Sequence, residues 1–395
     1  MHEFLAIFYP RSMTSGSELV LREVSRGAYD GAVACKCPFF VQPVRDLEGA
    51  GNSLGMVGMA GSDRLKNHWR ALNIPLVNVS NLHGPTEGMA NILSDDEAVG
   101  RLAAQHLIDK GYRHFLTVGQ TGPQWSRERL KGFIGHLQSL DLPVQAVDAD
   151  LRGELSLSTP GAYMEALWEQ VSPHIEPCPL ATGIFAANDW LAWPLLQQMT
   201  THCPERVHTT GLLGVDNLHD VLFDPRRTAG LSSIMPGFRE AGSRSIRLLL
   251  KAIEDGGIID EVLIRVPPAK LHVRASTAGQ ACGDPVVSKV VRELWAGLHA
   301  GEEPSIQTLA RQNGMSLRNM ELRFEEHLGQ SARALIADMR IQLGQTLLRD
   351  TDLPITEISR RCGYSNSTTF STLFGKKTGQ TPRQFRHSKT VPGSG

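Results

Sequence analysis

The sequence predicts an α/β chain with parallel sheets over its first 275 or so residues, followed by an all-α part with two helix-turn-helix units. Three observations carry this. Short apolar runs alternate with amphipathic stretches of helical period as far as residue 275. Strand signals then stop, behind the small-residue stretch STAGQACGDPVV (276–287) with its Gly and Pro. Beyond that stretch one helix–turn–helix pattern occurs twice.

Strands are expected at FLAIFY (4–9), GMVGMA (55–60), PLVNVS (75–80), HFLTVG (114–119), TGIFAAN (182–188), TGLLGVD (210–216) and LSSI (231–234). Between them SELVLREVSRGAYDG, DRLKNHWRALN, DEAVGRLAAQHLIDKG, SRERLKGFIGHLQSL, DWLAWPLLQQM and PGFREAGSRSIRLLLKAIEDG read as helices. Such alternation implies parallel sheets covered on both faces. Ligands then sit beyond the carboxyl ends of the strands. That singles out the polar residues just after strands: Tyr9 to Ser12, Ser80-Asn81, Asn188-Asp189 and Asp216-Asn217. The organisation expected is a domain over 1–275, a linker over 276–287, a helical domain over 288–388 and a disordered tail over 389–395.

With 41% hydrophobic and 21% charged residues, the composition is that of a soluble protein with a large core. No apolar run approaches the ~20 residues needed to span a bilayer. The opening MHEFLAIFYPRS lacks a basic start and a cleavage site, so it reads as a buried strand, not an export signal. The cysteines at 35, 37, 178, 203, 282 and 362 are scattered, with one close pair and no second to complete a zinc site. A reduced, cytoplasmic chain with no metal and no cofactor is expected. Asp95-Asp96 look like a helix cap rather than a catalytic pair. Glycine-rich GAGNSLGMVGMAG (49–61) lacks the Lys-Ser/Thr ending of a phosphate loop. No nucleophile elbow appears either, and an enzyme is not expected.

Formal charge is −1 overall but unevenly placed. Residues 285–390 hold 15 Lys and Arg against 10 Asp and Glu, leaving 25 against 31 for the rest. A basic end on an acidic body suits a polyanionic partner. The doubled pattern lies within that end. SIQTLARQNGMSLRNMELRFEEHLGQSARALI aligns with PITEISRRCGYSNSTTFSTLFGKKTGQTPRQF. Gly314 meets Gly363, Met320 meets Phe370, Phe324 meets Phe374 and Gly329 meets Gly379. Each copy is a short helix, a turn at glycine, and a second helix closed by glycine. Ser316, and Ser365 or Asn366, can cap the second helices. With Met320/Phe324 and Phe370/Phe374 turned inward, the outer faces are Leu317, Arg318, Glu321, Leu322 and Ser367, Thr368, Ser371, Thr372. Such helices can enter two successive major grooves, ~34 Å apart, with Lys376, Lys377, Arg383 and Arg386 set for phosphates.

This region resembles the DNA-binding domain of AraC/XylS-type transcription regulators. The second copy carries their pattern of Ile, helix, Gly-aromatic, Phe-x-x-x-Phe, Gly-x-x-Pro and aromatic-Arg in ITEISRRCGYSNSTTFSTLFGKKTGQTPRQFR. The resemblance implies that both second helices read bases and that a long helix near Ala332–Arg349 joins the units. At Leu322 the family commonly has a polar or basic residue, and at Thr372 often Arg, so more of the reading falls to Arg318.

ILSDDEAVGRLAAQHLIDKGYRHFLTVG, WSRERLKGF, AANDWLA and LLGVDN resemble the effector domain of LacI-type regulators, kin to periplasmic sugar-binding proteins. The resemblance implies two α/β lobes of type I with the ligand in the cleft between them. This domain in front of an AraC-type one is similar to the order in xylose-operon regulators. It implies Arg129 as a fork onto ligand oxygens and Asp216 as a hydroxyl acceptor. Asn188, Asp189, Asp95, Arg11 and Ser12 are further candidates, with Trp125 and Trp190 to stack on a sugar. Asp189 serves equally as a helix cap, and Trp190 equally as core. The function expected is a sugar-controlled transcription regulator, xylose or a related pentose being favoured, with DNA, a second copy of the chain and RNA polymerase as partners. A transport-system binding protein would have no use for the doubled helical unit.

Overall fold

A computed structural model describes residues 4–8, 15–45, 52–59, 63–151, 160–218, 230–257, 259–302 and 305–387. The chain divides into two compact units. The first comprises residues 1–203 and 211–277, the second 204–210 and 278–395.

Among the described residues the first unit holds two six-stranded sheets. Sheet one has the order β11-β5-β4-β3-β1-β2: β1 (Phe4–Phe8), β2 (Phe40–Val44), β3 (Gly55–Gly58), β4 (Leu76–Asn78), β5 (Ala90–Ser94) and β11 (Leu263–Val266). All its pairings are parallel. Helices α1 (Ser15–Ala34) and α2 (Asp63–Arg70) connect its strands. Its core joins Leu5, Ile7, Val57, Val77 and Ile92 to Val24 of α1 and to Ile246 and Leu249 of α8 (Phe238–Glu254).

Sheet two has the order β12-β10-β9-β8-β6-β7: β6 (His114–Gln120), β7 (Val144–Ala149), β8 (Thr182–Ala186), β9 (Gly211–Val215), β10 (Ser232–Met235) and β12 (Lys270–His272). Only β12 runs antiparallel, against β10. Its helices are α3 (Asp96–Asp109), α4 (Gln124–Gln138), α5 (Pro160–Ile175) and α6 (Asp189–His202). Two sheets, each with its own core, make two lobes. The chain passes between them after β5, after β10 and after β11. The passages are tied together: Asp95 N donates to Val266 O at 2.7 Å and Ala269 N to Met235 O at 2.9 Å.

All seven expected strands form. The pattern does not show β2, β5, β7, β11 and β12, nor α5. In β5, Asn91 interrupts an otherwise apolar run; its side chain bonds Thr86 and Met89 backbone groups and fixes the preceding turn. β2 and β7 are edge strands, which lack a continuous apolar signature.

The second unit is helical: α7 (Pro204–Thr209), α10 (Pro285–Ala300), α11 (Ile306–Gln312), α12 (Leu317–Leu328), α13 (Ala332–Asp350), α14 (Ile355–Arg361), α15 (Ser367–Thr378) and α16 (Pro382–His387). A four-residue helix, α9 (Ala275–Ala278), precedes it. Asp284 caps α10 through its carboxylate, to Val286 N and Val287 N, and also binds Arg323 of α12 at 2.7 Å. The doubled pattern becomes α11–α12 and α14–α15. Gly314 and Gly363 take φ of 69° and 74°, the left-handed backbone the turns require. Ser316 and Asn366 cap the second helices, and Gly329 and Gly379 end them. Met320, Phe324, Phe370 and Phe374 are all fully buried.

Candidate functional site

Two sites emerge, one at the carboxyl ends of the two sheets and one on the paired second helices.

In the first, Arg129 of α4 is the centre. Its side chain is 3% exposed, and each of its three nitrogens has a protein partner, which leaves one N–H on each of Nη1 and Nη2. Nε donates to Asp96 Oδ1 at 2.8 Å, Nη1 donates to the Ala187 carbonyl at 2.7 Å, and Nη2 lies 3.2 Å from Asp216 Oδ1. Its Cζ lies over the Trp125 ring, 5.0 Å from the ring centroid. Burial opposes the charge on Arg129, but the flanking aspartates more than offset it and hold its pKa up. Burial pushes Asp96 and Asp216 upward, while Arg129 pulls both down.

Glycines set this geometry. A Cβ on Gly132 of α4 would lie 2.1 Å from the Glu97 carbonyl, and one on Gly100 of α3 2.0 Å from the Arg129 carbonyl. The two helices therefore touch backbone to backbone, which brings Asp96 within reach of Arg129.

Asp216 follows β9 and has φ of 95°; Asn217 has φ of 51°. Asp and Asn enter this region more readily than other non-glycine residues, and their surroundings can hold them there. Here the enforcement is visible. Asn217 N donates to Ser233 Oγ at 3.0 Å, Arg274 Nη2 donates to Asn217 Oδ1 at 2.6 Å, and Leu218 N donates to Asp189 Oδ2 at 2.9 Å. Ser233 Oγ donates to Asp189 at 2.8 Å. Asp189 is thus an internal brace for the turn that aims Asp216, and Asn188 is the residue that caps α6. Burial raises Asp189 to about 7, opposed by the Leu218 amide and reinforced by Asp216.

Of the residues expected here, Arg129, Asp216, Asn188, Asp189 and Trp125 come together. Asp95 accepts from Ala98 N at 2.8 Å as the cap of α3, and its neighbour Asp96 takes the place beside Arg129. Arg11 and Ser12 lie outside the described residues. Trp190 is half-buried on α6, and its carbonyl accepts from Tyr163 Oη at 3.0 Å. Sequence reasoning missed Asp96 and Glu128 as site residues. It also left Asn81 as one of several post-strand polar residues. Asn81 Nδ2 donates to Asp96 Oδ2 at 2.7 Å and to Glu128 Oε2 at 2.8 Å. Its own Oδ1 is buried with no partner among the described residues, an acceptor open to a hydroxyl. The double acid Asp95-Asp96, one cap and one spare carboxylate, was the available signal. The arrangement offers a forked cation, two carboxylates, an amide acceptor and an indole face, the groups that grip vicinal hydroxyls.

In the second site, Leu317, Arg318, Leu322, Thr368 and Thr372 are exposed, and Glu321, Ser367 and Ser371 are partly so. Lys376 is exposed beside them. Lys377 pairs with Asp338 of α13 at 2.5 Å, and Arg386 donates to the Leu353 carbonyl at 2.6 Å. Both cations thus also hold the unit together. Arg383 is exposed. No described helix is long and apolar enough to cross a membrane.

Two family models match. A periplasmic binding protein-like domain covers residues 104–277, and a helix-turn-helix domain covers 309–388. The chain joins a periplasmic-binding-protein-like domain to an AraC-type helix-turn-helix domain. The same combination resembles the xylose operon regulatory protein of Escherichia coli K12, 26% identical over 326 residues, 80% of this chain and 79% of that one. The protein of that name from Haemophilus influenzae is 26% identical over 303 residues, 75% and 74% of the two chains. The fold is that of a solved structure described as a xylose-binding transcription activator: TM-score 0.67, 22% identity, 98% of each chain covered. The chain is also 34% identical over 95 residues to the transcriptional activator RhaS of an Enterobacter strain, 24% of this chain and 34% of that one.

Proposed function

We propose that this chain is a transcription regulator whose binding to double-stranded DNA is controlled by a small sugar, a pentose such as xylose, held around Arg129. The observation that carries the reading is the Asp96–Arg129–Asp216 array in a chain that also bears the AraC-type domain. Asp216, Arg129 and Asn81 bind hydroxyls, Trp125 backs the guanidinium, and Asn188 and Asp189 place the loops. The xylose operon proteins, similar over three quarters or more of the chain, support a pentose as effector. Leu317, Arg318, Glu321, Leu322, Ser367, Thr368, Ser371 and Thr372 meet bases, and Lys376 meets phosphate. The protein works in the cytoplasm as a homodimer, with RNA polymerase as the partner that reads its position on DNA, and it catalyses no reaction.

A ligand shifts such a regulator only by binding its two states unequally. Thermal unfolding of the full chain, with pentoses, hexoses and polyols added in turn, tests the effector. A pentose should raise the midpoint by several degrees, at roughly a hundredfold over its Kd, and Asp216→Asn should abolish the rise. A chain indifferent to every sugar would overturn the sensor half of the reading.

A further inference from the structure

The eight outward positions of α12 and α15 form an unusual set of base-reading chemistry. Arg318 is the one cation, Glu321 the one acid, and the other six are Leu317, Leu322, Ser367, Thr368, Ser371 and Thr372. Forking onto a guanine edge needs Arg or Lys, and forking onto adenine needs Asn or Gln. The eight positions hold one group of the first kind and none of the second. The nearest amide, Asn319, lies about 100° around the helix from Arg318. Leu322 is 55% exposed and Leu317 40%. The inner face of α12 is carried by Met320 and Phe324, both fully buried. Leu322 stands one turn after Arg318, at the position matched by Thr372 in the second copy, so its apolar tip belongs to the face that carries the reading.

The major groove offers one apolar feature on a base edge, the C5-methyl of thymine. We propose that thymine methyl groups carry most of this chain's sequence discrimination. Leu317 and Leu322 read them in one half-site, and the methyls of Thr368 and Thr372 read them in the next; Arg318 supplies a single guanine contact. The inference rests on the reading of the chain as a DNA-binding regulator. It adds which bases the operator must contain: T·A pairs opposite both helices, with at most two essential G·C pairs opposite α12, one for Arg318 and one for Glu321.

The test uses the full chain and a duplex selected by it from a random library at moderate salt. Each thymine is then replaced singly by deoxyuridine, which removes only the methyl. At two or more positions opposite the helices, binding should weaken about three- to fivefold, the worth of one desolvated methyl. Leu322→Ala should weaken binding to the thymine duplex and erase the deoxyuridine penalty at its own position. Leu317→Ala, also at an exposed position, should do so at a neighbouring one. If a sequence is selected but every deoxyuridine duplex binds within twofold of the parent, methyl reading is wrong while the regulator stands. Methyl reading is equally wrong if Leu322→Ala leaves DNA binding untouched, in which case the leucine serves a protein partner. If no sequence is selected at all, the regulator reading itself falls.

Discussion

Glu128 and Arg265 are joined by two hydrogen bonds, Nη1 to Oε2 at 2.9 Å and Nη2 to Oε1 at 3.0 Å. Glu128 lies on α4, which packs on sheet two; Arg265 lies on β11, at the edge of sheet one. The pair therefore bridges the two lobes. Asn81 and Gln124 each add a further bond to the same carboxylate, at 2.8 and 3.0 Å. A forked, charge-assisted contact of this kind is among the stronger polar links a protein makes. Here it favours lobes held together over lobes apart.

Breaking that link should shift the chain toward an open form. In Arg265→Ala the sugar must supply closure without help, so affinity should drop about tenfold, equivalent to ~1.4 kcal/mol. Titration calorimetry gives the affinity, and X-ray scattering of the unliganded chain gives the opening. Unchanged values in both would show that the clasp has no part in closure.

Arg129 stands between Asp96 and Asp216 with almost no access to water. Replacing it by Met leaves two buried carboxylates without their cation. Breaking a buried ion pair from one side typically costs about 3–5 kcal/mol. Arg129→Met should lose stability on that scale in urea unfolding. Adding Asp96→Asn should restore part of it, since the stranded charge is gone. If the double variant is no more stable than the single one, the charge array is not what Arg129 serves.

Asp189 gives a signed pH dependence. Its pKa rises to about 7 in the folded chain, against an ordinary value near 3.8. Between those two values the folded state holds a proton that the unfolded state has released. Stability attached to this group is therefore present below about pH 4 and lost as pH rises through 7. Asp189→Asn keeps an acceptor for Leu218 N and cannot ionise. Relative to wild type, it should become progressively more stable between pH 5 and pH 8. The difference between the two unfolding curves isolates this residue from His106. Burial drives His106 the other way, to about 3, so its contribution is lost as pH falls below its ordinary 6.5. A flat difference across that range would mean Asp189 is ionised throughout.

Gly100 and Gly132 let α3 and α4 meet without side chains between them. A methyl at position 132 would have to displace a backbone carbonyl, not a flexible side chain. Gly132→Ala should cost about 1–3 kcal/mol. It should also pull Asp96 away from Arg129 and weaken sugar binding more than the stability loss alone explains. Wild-type affinity in a folded Gly132→Ala chain would show that the close helix contact is not what sets the site.

The parallel-sheet architecture, every central strand but β5 and both helix-turn-helix units were readable because periodicity and turn glycines act locally. The missed strands lie at edges or carry a polar residue whose partner is a turn, as with Asn91. Arg129 and Asp216 were legible through motif and through the cost of a charge ending an apolar strand. Asp96 was not, since a pair of acids before a helix looks the same whether one or both cap it. Nor was Glu128: its partners Asn81 and Arg265 lie 47 and 137 residues away, and only the crossing of the lobes brings them together. Lys377 looked like a phosphate contact from sequence, and its pairing with Asp338 depends on how α15 lies against α13.

That pairing separates two lysines that are neighbours in sequence. Lys376 is exposed on α15, whereas Lys377 sits 2.5 Å from the Asp338 carboxylate. A cation already neutralised by a protein carboxylate releases little when it meets a phosphate. A free one releases a condensed counterion from the DNA. Lys376→Ala should therefore weaken binding to all duplexes alike and lower the slope of log K against log salt by about 1. Lys377→Ala should change that slope by much less and show instead as a modest loss of thermal stability. Arg318→Ala, aimed at a base, should weaken the selected duplex while leaving random DNA almost unaffected. Equal salt slopes for the two lysine variants would mean that Asp338 gives up Lys377 on DNA. In that case the ion pair belongs to the free protein alone, and both lysines face the phosphates in the complex.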